Sequence, residues 1–249
     1  SNCSDFNPGT GHLDIEGLLN SYNMLRNPSF SNKENDLTNR HPLQNRVDPF
    51  GQLIRTTARG AWMGNRGLIH NENQQIVRAF RLKAWITCRL EFKGWHRKVM
   101  SPNRYTELFF LDEATAFAAG HRPCAECRRE DFNRFKKAWI KGNPEYGFNE
   151  KTPIGKIDDI LHRERMDSNG KQVTFMERMD TLPNGSFIVH DGRPFIVNQP
   201  TVAAAWTAFR YEETIEMLKG IAVVVLTPKS LVNTLRSGYN PQMAYKNRA

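Results

Sequence analysis

Phe109-Phe110-Leu111-Asp112-Glu113-Ala114-Thr115-Ala116-Phe117-Ala118-Ala119-Gly120-His121-Arg122-Pro123-Cys124-Ala125-Glu126-Cys127 reads as three elements in succession. The apolar residues close a strand over Glu107–Leu111. Asp112 is placed to cap a short helix over Glu113–Ala119, because its carboxylate can accept the free N–H groups of the first turn. Gly120 follows as the left-handed residue that ends the helix. Cys124 and Cys127 then form a C-x-x-C turn, which points two sulfurs at one cation.

Downstream, the pattern predicts a helix over Arg129–Lys141, stopped at Gly142 and burying Phe132, Phe135 and Trp139. Another helix is expected over Ile154–Met166, with Ile157, Ile160 and Leu161 on one face. Phe187–Val197 contains Asp191-Gly192, a two-residue hairpin signal. Ile221–Leu226 reads as a core strand, and Thr227-Pro228 opens a last helix that ends near Gly238. Upstream, alternating or β-rich runs occur at Gln52–Thr57, Ile76–Arg81, Ala84–Phe92 and His96–Met100, with Lys93-Gly94 as a hairpin turn and Met63–Gly67 as a tight Gly/Asn turn. The sum is an α+β fold, a mostly antiparallel sheet with several short helices. Residues 1–49, polar and rich in Asn with one amphipathic stretch at Leu13–Leu25, read as an N-terminal arm; residues 50–249 read as a single domain.

The 249 residues suffice to bury a core. The composition, 39% hydrophobic and 24% charged, is that of a globular protein. No apolar run reaches membrane-spanning length, and no secretory signal is visible, so a cytoplasmic location is the expectation. Four cysteines are too few for a disulfide scaffold, and C-x-x-C without an export signal points to metal or redox chemistry. The net charge of +9 favours a polyanionic partner, since each neutralised phosphate releases counterions.

The Phe109–Cys127 segment resembles the metal-binding domain of the Ada family of methyl-phosphotriester DNA-repair proteins over about residues 85–135. Strand, Ala-rich helix and knuckle come in the same order, and Gly120, Arg122, Pro123, Cys124 and Cys127 match the motif. The resemblance implies a structural zinc ion and a DNA partner. It departs from the family upstream, where only Cys88 is available instead of two cysteines. The expected ligands are therefore Cys88, Cys124, Cys127 and one histidine, His121 or His96. The family's methyl-acceptor chemistry, which uses a metal-bound thiolate, is not carried over.

Arginines clustered at Arg55, Arg59 and Arg66, and at Arg122, Arg128 and Arg129, are candidates for phosphate contacts. Residues Arg59–Gly67 also carry Trp62 and Asn65, which could stack on an extruded base and read its edge. Asp158, Asp159 and Glu164, close to His162, are the leading candidate carboxylates for general acid–base work, with Glu107 and Asp112 as rivals. These parts predict a DNA-binding protein of the repair or phage-defence type, a DNA glycosylase-like enzyme in the first instance. The alternatives are a Mg-dependent nuclease built on Glu91 and Lys93, and a non-catalytic zinc-containing DNA-binding protein.

Overall fold

A computed structural model describes residues 41–94 and 98–244. Two six-stranded sheets and, among the described residues, four α-helices make up the fold. The first sheet contains β1 (Gln44–Val47), β2 (Leu53–Arg55), β3 (Trp62–Asn65), β4 (Ile86–Cys88), β5 (Leu108–Phe110) and β6 (Arg122–Pro123), in the order β2-β1-β5-β3-β4-β6. Its β1–β5 and β4–β6 pairs are parallel and the rest antiparallel. The second sheet is wholly antiparallel and contains β7 (Phe175–Arg178), β8 (Phe187–His190), β9 (Arg193–Gln199), β10 (Val202–Trp206), β11 (Tyr211–Glu216) and β12 (Ala222–Val225). Four of its strands, β8 to β11, form a meander, and β12 returns to lie between β8 and β7. The helices are α1 (Glu113–Ala118), α2 (Arg129–Gly142), α3 (Ile154–Arg165) and α4 (Lys229–Arg236). None is long and apolar enough to cross a membrane.

Helix α1 holds the parts together, and its alanines explain how. All six of its residues are buried. Ala116 packs with Leu108 and Phe110 of β5, whereas Ala114 and Ala118 pack with Phe187, Ile196 and Ala204 of the second sheet. Phe117 packs into the cluster formed by α2, α3 and α4. Only small side chains let one helix approach three partners at once. The Asp112 side chain caps α1 by accepting from Thr115 N at 2.8 Å, as an N-cap carboxylate does. Gly120 ends the turn at φ +75°, a conformation that favours glycine. The C-terminal segment adds to the cap: Gln242 O accepts from Glu113 N and Ala114 N, and Ala244 N donates to Asp112 Oδ2 at 2.8 Å.

Other local signals produce the elements they predict. Asp191 and Gly192 both take positive φ and close the β8–β9 hairpin, the geometry of a primed two-residue turn. Phe132, Phe135 and Trp139 form the buried stripe of α2. The last helix forms where expected, but its cap differs: Thr227 Oγ1 accepts from Phe187 N, and Glu164 accepts from Ser230 N instead.

The first sheet departs most from expectation. Met63–Gly67, read as a turn, contributes to β3, a central strand. Gly64 is needed there for close packing. A Cβ at this position would lie 2.6 Å from the Phe110 ring and 2.7 Å from Ile86 O. Of the run at Ile76–Arg81, only Ile76 pairs, as an isolated bridge to His70, and Ala84–Phe92 yields only the three residues of β4. Residues 44–47, assigned to the arm, form β1, with Val47 in the core. The Leu13–Leu25 stretch lies outside the described residues, as does His96.

Candidate metal centre and sheet face

Cys88 ends β4, and β6 runs parallel beside that strand, with Ile86 opposite Arg122 and Thr87 opposite Pro123. Cys124 N donates to Thr87 O at 2.9 Å, so the knuckle begins alongside Cys88. The chain then doubles back: Arg128 N donates to Cys124 O at 3.2 Å and α2 starts. This route brings the sulfurs of Cys88, Cys124 and Cys127 within 4.8 Å of one another. In a tetrahedral site with Zn–S bonds of about 2.3 Å the sulfurs stand about 3.8 Å apart, so a small closure seats a metal ion. The three cysteines are free, buried, and packed by Met63, Ile86 and Phe92. Contacts from the Cys127 and Cys88 thiols, and from Glu126 N at 3.4 Å, hold the Cys124 thiol well below its ordinary range. The Cys88 thiol is pushed up by its contacts with Cys124 and Cys127. Among the described residues, this trio is the only group of three or more Cys, His, Asp or Glu whose ligand atoms converge.

His121 is not part of it. Its ring lies on the other side of β6, donating through Nδ1 to Ala119 O at 3.2 Å and accepting at Nε2 from Arg66 Nε at 3.4 Å. Burial and the nearby charges of Arg66 and Arg165 lower its affinity for a proton and keep the imidazole neutral. Its contacts with Phe110 and Trp85 make it a core residue.

The arginines divide into two sets. Arg66, Arg122 and Arg128, expected at a phosphate interface, are instead buried. Arg122 makes a two-pronged pair with Asp158, both bonds 2.7 Å. Arg128 binds Glu113, Asp131 and Thr87 Oγ1, and its guanidinium lies 3.8 Å from the Trp62 ring centre. Arg66 stacks on Trp85 at 3.9 Å and donates to Gly51 O, with Arg165 3.7 Å from the same ring. Burial pulls the Arg66 guanidinium down to about 9, partly offset by Asp48. Burial, together with the charge of Arg66, takes Arg165 down to about 8. Arg55, Arg59 and Arg129 are exposed.

The candidate carboxylates do not converge. Asp158 is committed to Arg122. Asp159 is half-exposed and paired with Lys83 at 3.1 Å. Glu164 binds the backbone and hydroxyl of Ser230. His162, four residues from Asp158, packs on Phe80 and meets Arg165 instead. Glu107 receives Met100 N, and Asp112 is the α1 cap. Glu91 is exposed beyond β4, and Lys93 lies 3.8 Å from Glu126.

The strand register exposes a feature that sequence reading missed. Arg46 pairs with Phe109, Phe109 with Met63, and Met63 with Cys88, on the adjacent strands β1, β5, β3 and β4. Directly opposed residues share a face, so these four form one row across the sheet, ending at the cysteine cluster. The opposite face, with Leu108, Gly64 and Thr87, is buried toward α1, while Arg46, Phe109, Met63 and Asn65 are half-buried. Trp62 sits on the inward face, donating to Gln242 Oε1 at 2.8 Å beneath Arg128. Leu108-Phe109-Phe110 is apolar throughout, so the sequence carries no alternation that would mark this row.

Residues 50–106 carry eleven Lys and Arg against two acids, Glu72 and Glu91, a net charge equal to the +9 of the whole chain. Arg59, Arg78, Arg81, Arg89, Lys98 and Arg104 are exposed and have no ion-pair partner among the described residues.

These features define an α+β protein with a three-cysteine centre at the edge of a basic sheet. No family model matches the chain, and no curated protein or solved structure matches it.

Proposed function

We propose that this chain is a DNA-binding protein that grips nucleic acid with the first sheet and its connections, around a structural zinc ion held by Cys88, Cys124 and Cys127. The observation that carries the reading is the basic excess of residues 50–106, where six exposed cations have no carboxylate partner among the described residues. Unpaired surface guanidinium and ammonium groups are what phosphate contacts use. Three buried thiolates favour zinc over harder cations, and a tetrahedral structural site would take a fourth ligand besides the three that converge among the described residues. The likeness of the knuckle to the Ada metal-binding domain points to the same partner.

Binding is favoured over base excision or strand cleavage because Asp158 and Glu164 are each tied to a structural partner, and no acidic cluster accompanies Glu91 among the described residues. The test is fluorescence anisotropy of the full chain with a labelled single strand and duplex, repeated at rising salt. The expected result is binding whose log–log salt slope reflects several phosphate contacts, roughly 0.9 per contact on a duplex. Absence of binding at low salt would overturn the proposal.

A further inference from the structure

We infer that the open face of the first sheet seats unpaired DNA bases on the row Arg46–Phe109–Met63, so that the preferred substrate is a single-stranded or locally opened segment. This rests on the DNA-binding reading and names its substrate class.

The row has the parts that base stacking needs. Phe109 and Met63 face each other on neighbouring strands and remain half-buried, although the residues beneath them are fully packed. Arg46 is fixed by bonds from Nε to Ala58 O and from Nη1 to Asn45 Oδ1, both 2.6 Å, with its guanidinium 4.6 Å from the Phe109 ring centre. Planar guanidinium and ring together offer two surfaces on which a splayed base can stack. The three strands of the row span about 10 Å at roughly 4.8 Å per step, room for about one or two nucleotides.

Next to the row, Asn65 offers a polar contact. It lies two residues beyond Met63 on the same face, and its Oδ1 accepts from Gly67 N at 3.1 Å. That bond orients the amide and leaves Nδ2 as a donor without a partner among the described residues. It is suited to a base acceptor.

Cations stand near both ends. Arg59 is close enough to Arg46 to disfavour its charge, and Arg89 follows Cys88 directly. A phosphodiester crossing the row meets charge at each side, while a base reaches the strand centre. A duplex cannot use this surface in the same way, because its base faces are stacked against one another and its phosphates would meet the apolar centre. An unpaired base has its π face free.

The experiment compares the full chain with a short single strand and the matching duplex by anisotropy, and adds 2-aminopurine to the single strand as a stacking probe. The parent protein should bind the single strand more tightly and change 2-aminopurine emission. Phe109→Leu keeps an apolar side chain of similar reach and removes the ring. It should weaken single-strand binding by about five- to a hundredfold and abolish the emission change, with duplex binding much less affected. Asn65→Asp retains the acceptor for Gly67 N, removes the donor and adds charge, so it should weaken single-strand binding even if Phe109→Leu folds poorly. The inference is overturned if the duplex binds as tightly as the single strand, or if well-folded variants keep parental affinity and emission while Arg78→Ser/Arg81→Ser weakens binding. In that last case the DNA-binding reading survives. No binding of either DNA form overturns both.

Discussion

The second sheet packs Ile188, Phe195, Val197, Ala203, Ala205, Val223 and Val225 into a largely aliphatic core, with Met179, Leu182 and Val232 closing it. The first sheet has strands of two to four residues, and guanidinium groups share its interior with aromatic rings: Arg128 over Trp62, Arg66 and Arg165 over Trp85. Charge follows the same division. Residues 175–225 hold four Lys and Arg against six Asp and Glu, whereas residues 50–106 hold the large basic excess. The difference shows two ways to build a sheet. One hides apolar area behind mostly aliphatic side chains. The other depends on a few buried ion pairs and a thiol cluster, and leaves one face half-open with cations around it.

The largest effect of that difference should appear at the metal centre. Structural zinc contributes folding free energy directly, on the order of 10 kcal/mol in small domains. Cys124→Ser or exhaustive chelation should strip metal from a chain that otherwise carries about one ion, and should lower soluble yield sharply. Elemental analysis and circular dichroism measure both. A metal-free chain that folds normally would exclude a structural zinc.

Next comes Arg128→Met, which leaves the buried Glu113 carboxylate without its cation. Breaking a buried pair is worth about 3–5 kcal/mol. At roughly 2–4 °C per kcal/mol for a chain of this size, Tm should fall by about 10 °C. A drop of only a degree or two would mean that Tyr239 and Gln242 hold Glu113 unaided.

Smaller changes sharpen the contrast between the sheets. Gly64→Ala in β3 forces a methyl group against Phe110. It should destabilise by about 1–3 kcal/mol. Ile196→Val in β9, a comparable one-carbon change in the second sheet, should cost about 0.5–1.5 kcal/mol. Equal destabilisation in denaturant melts would argue that the sheets are equally tolerant.

The same contrast explains what could be read in the sequence. The α1 cap, the left-handed Gly120, the C-x-x-C turn and the Asp191-Gly192 hairpin are set by residues within four positions of one another, so each was legible. β3 was not, because Gly64 and Asn65 look like turn residues, and the close approach of Phe110 that requires Gly64 comes from a strand more than forty positions away. Strands of three residues give no periodic signal, and the parallel pairing of β1 with β5 leaves none at all. Arg122 and Arg128 looked like surface cations because Asp158 and Glu113 are remote in sequence. Composition sets the net charge but not its placement. Only the folded structure separates the buried arginines that hold the fold from the exposed ones that have no ion-pair partner among the described residues.

That separation is tested most directly by one measurement: DNA affinity against salt, with Tm alongside, for the parent and for Arg78→Ser/Arg81→Ser/Arg89→Ser/Arg104→Ser. These four side chains are exposed and make no ion pair among the described residues. The expected result is an unchanged Tm, markedly weaker binding, and a salt slope shallower by up to about 3.5, near 0.7–0.9 for each phosphate no longer neutralised. Parental affinity and slope in a normally melting variant would contradict the division of the arginines and the DNA-binding reading built on it.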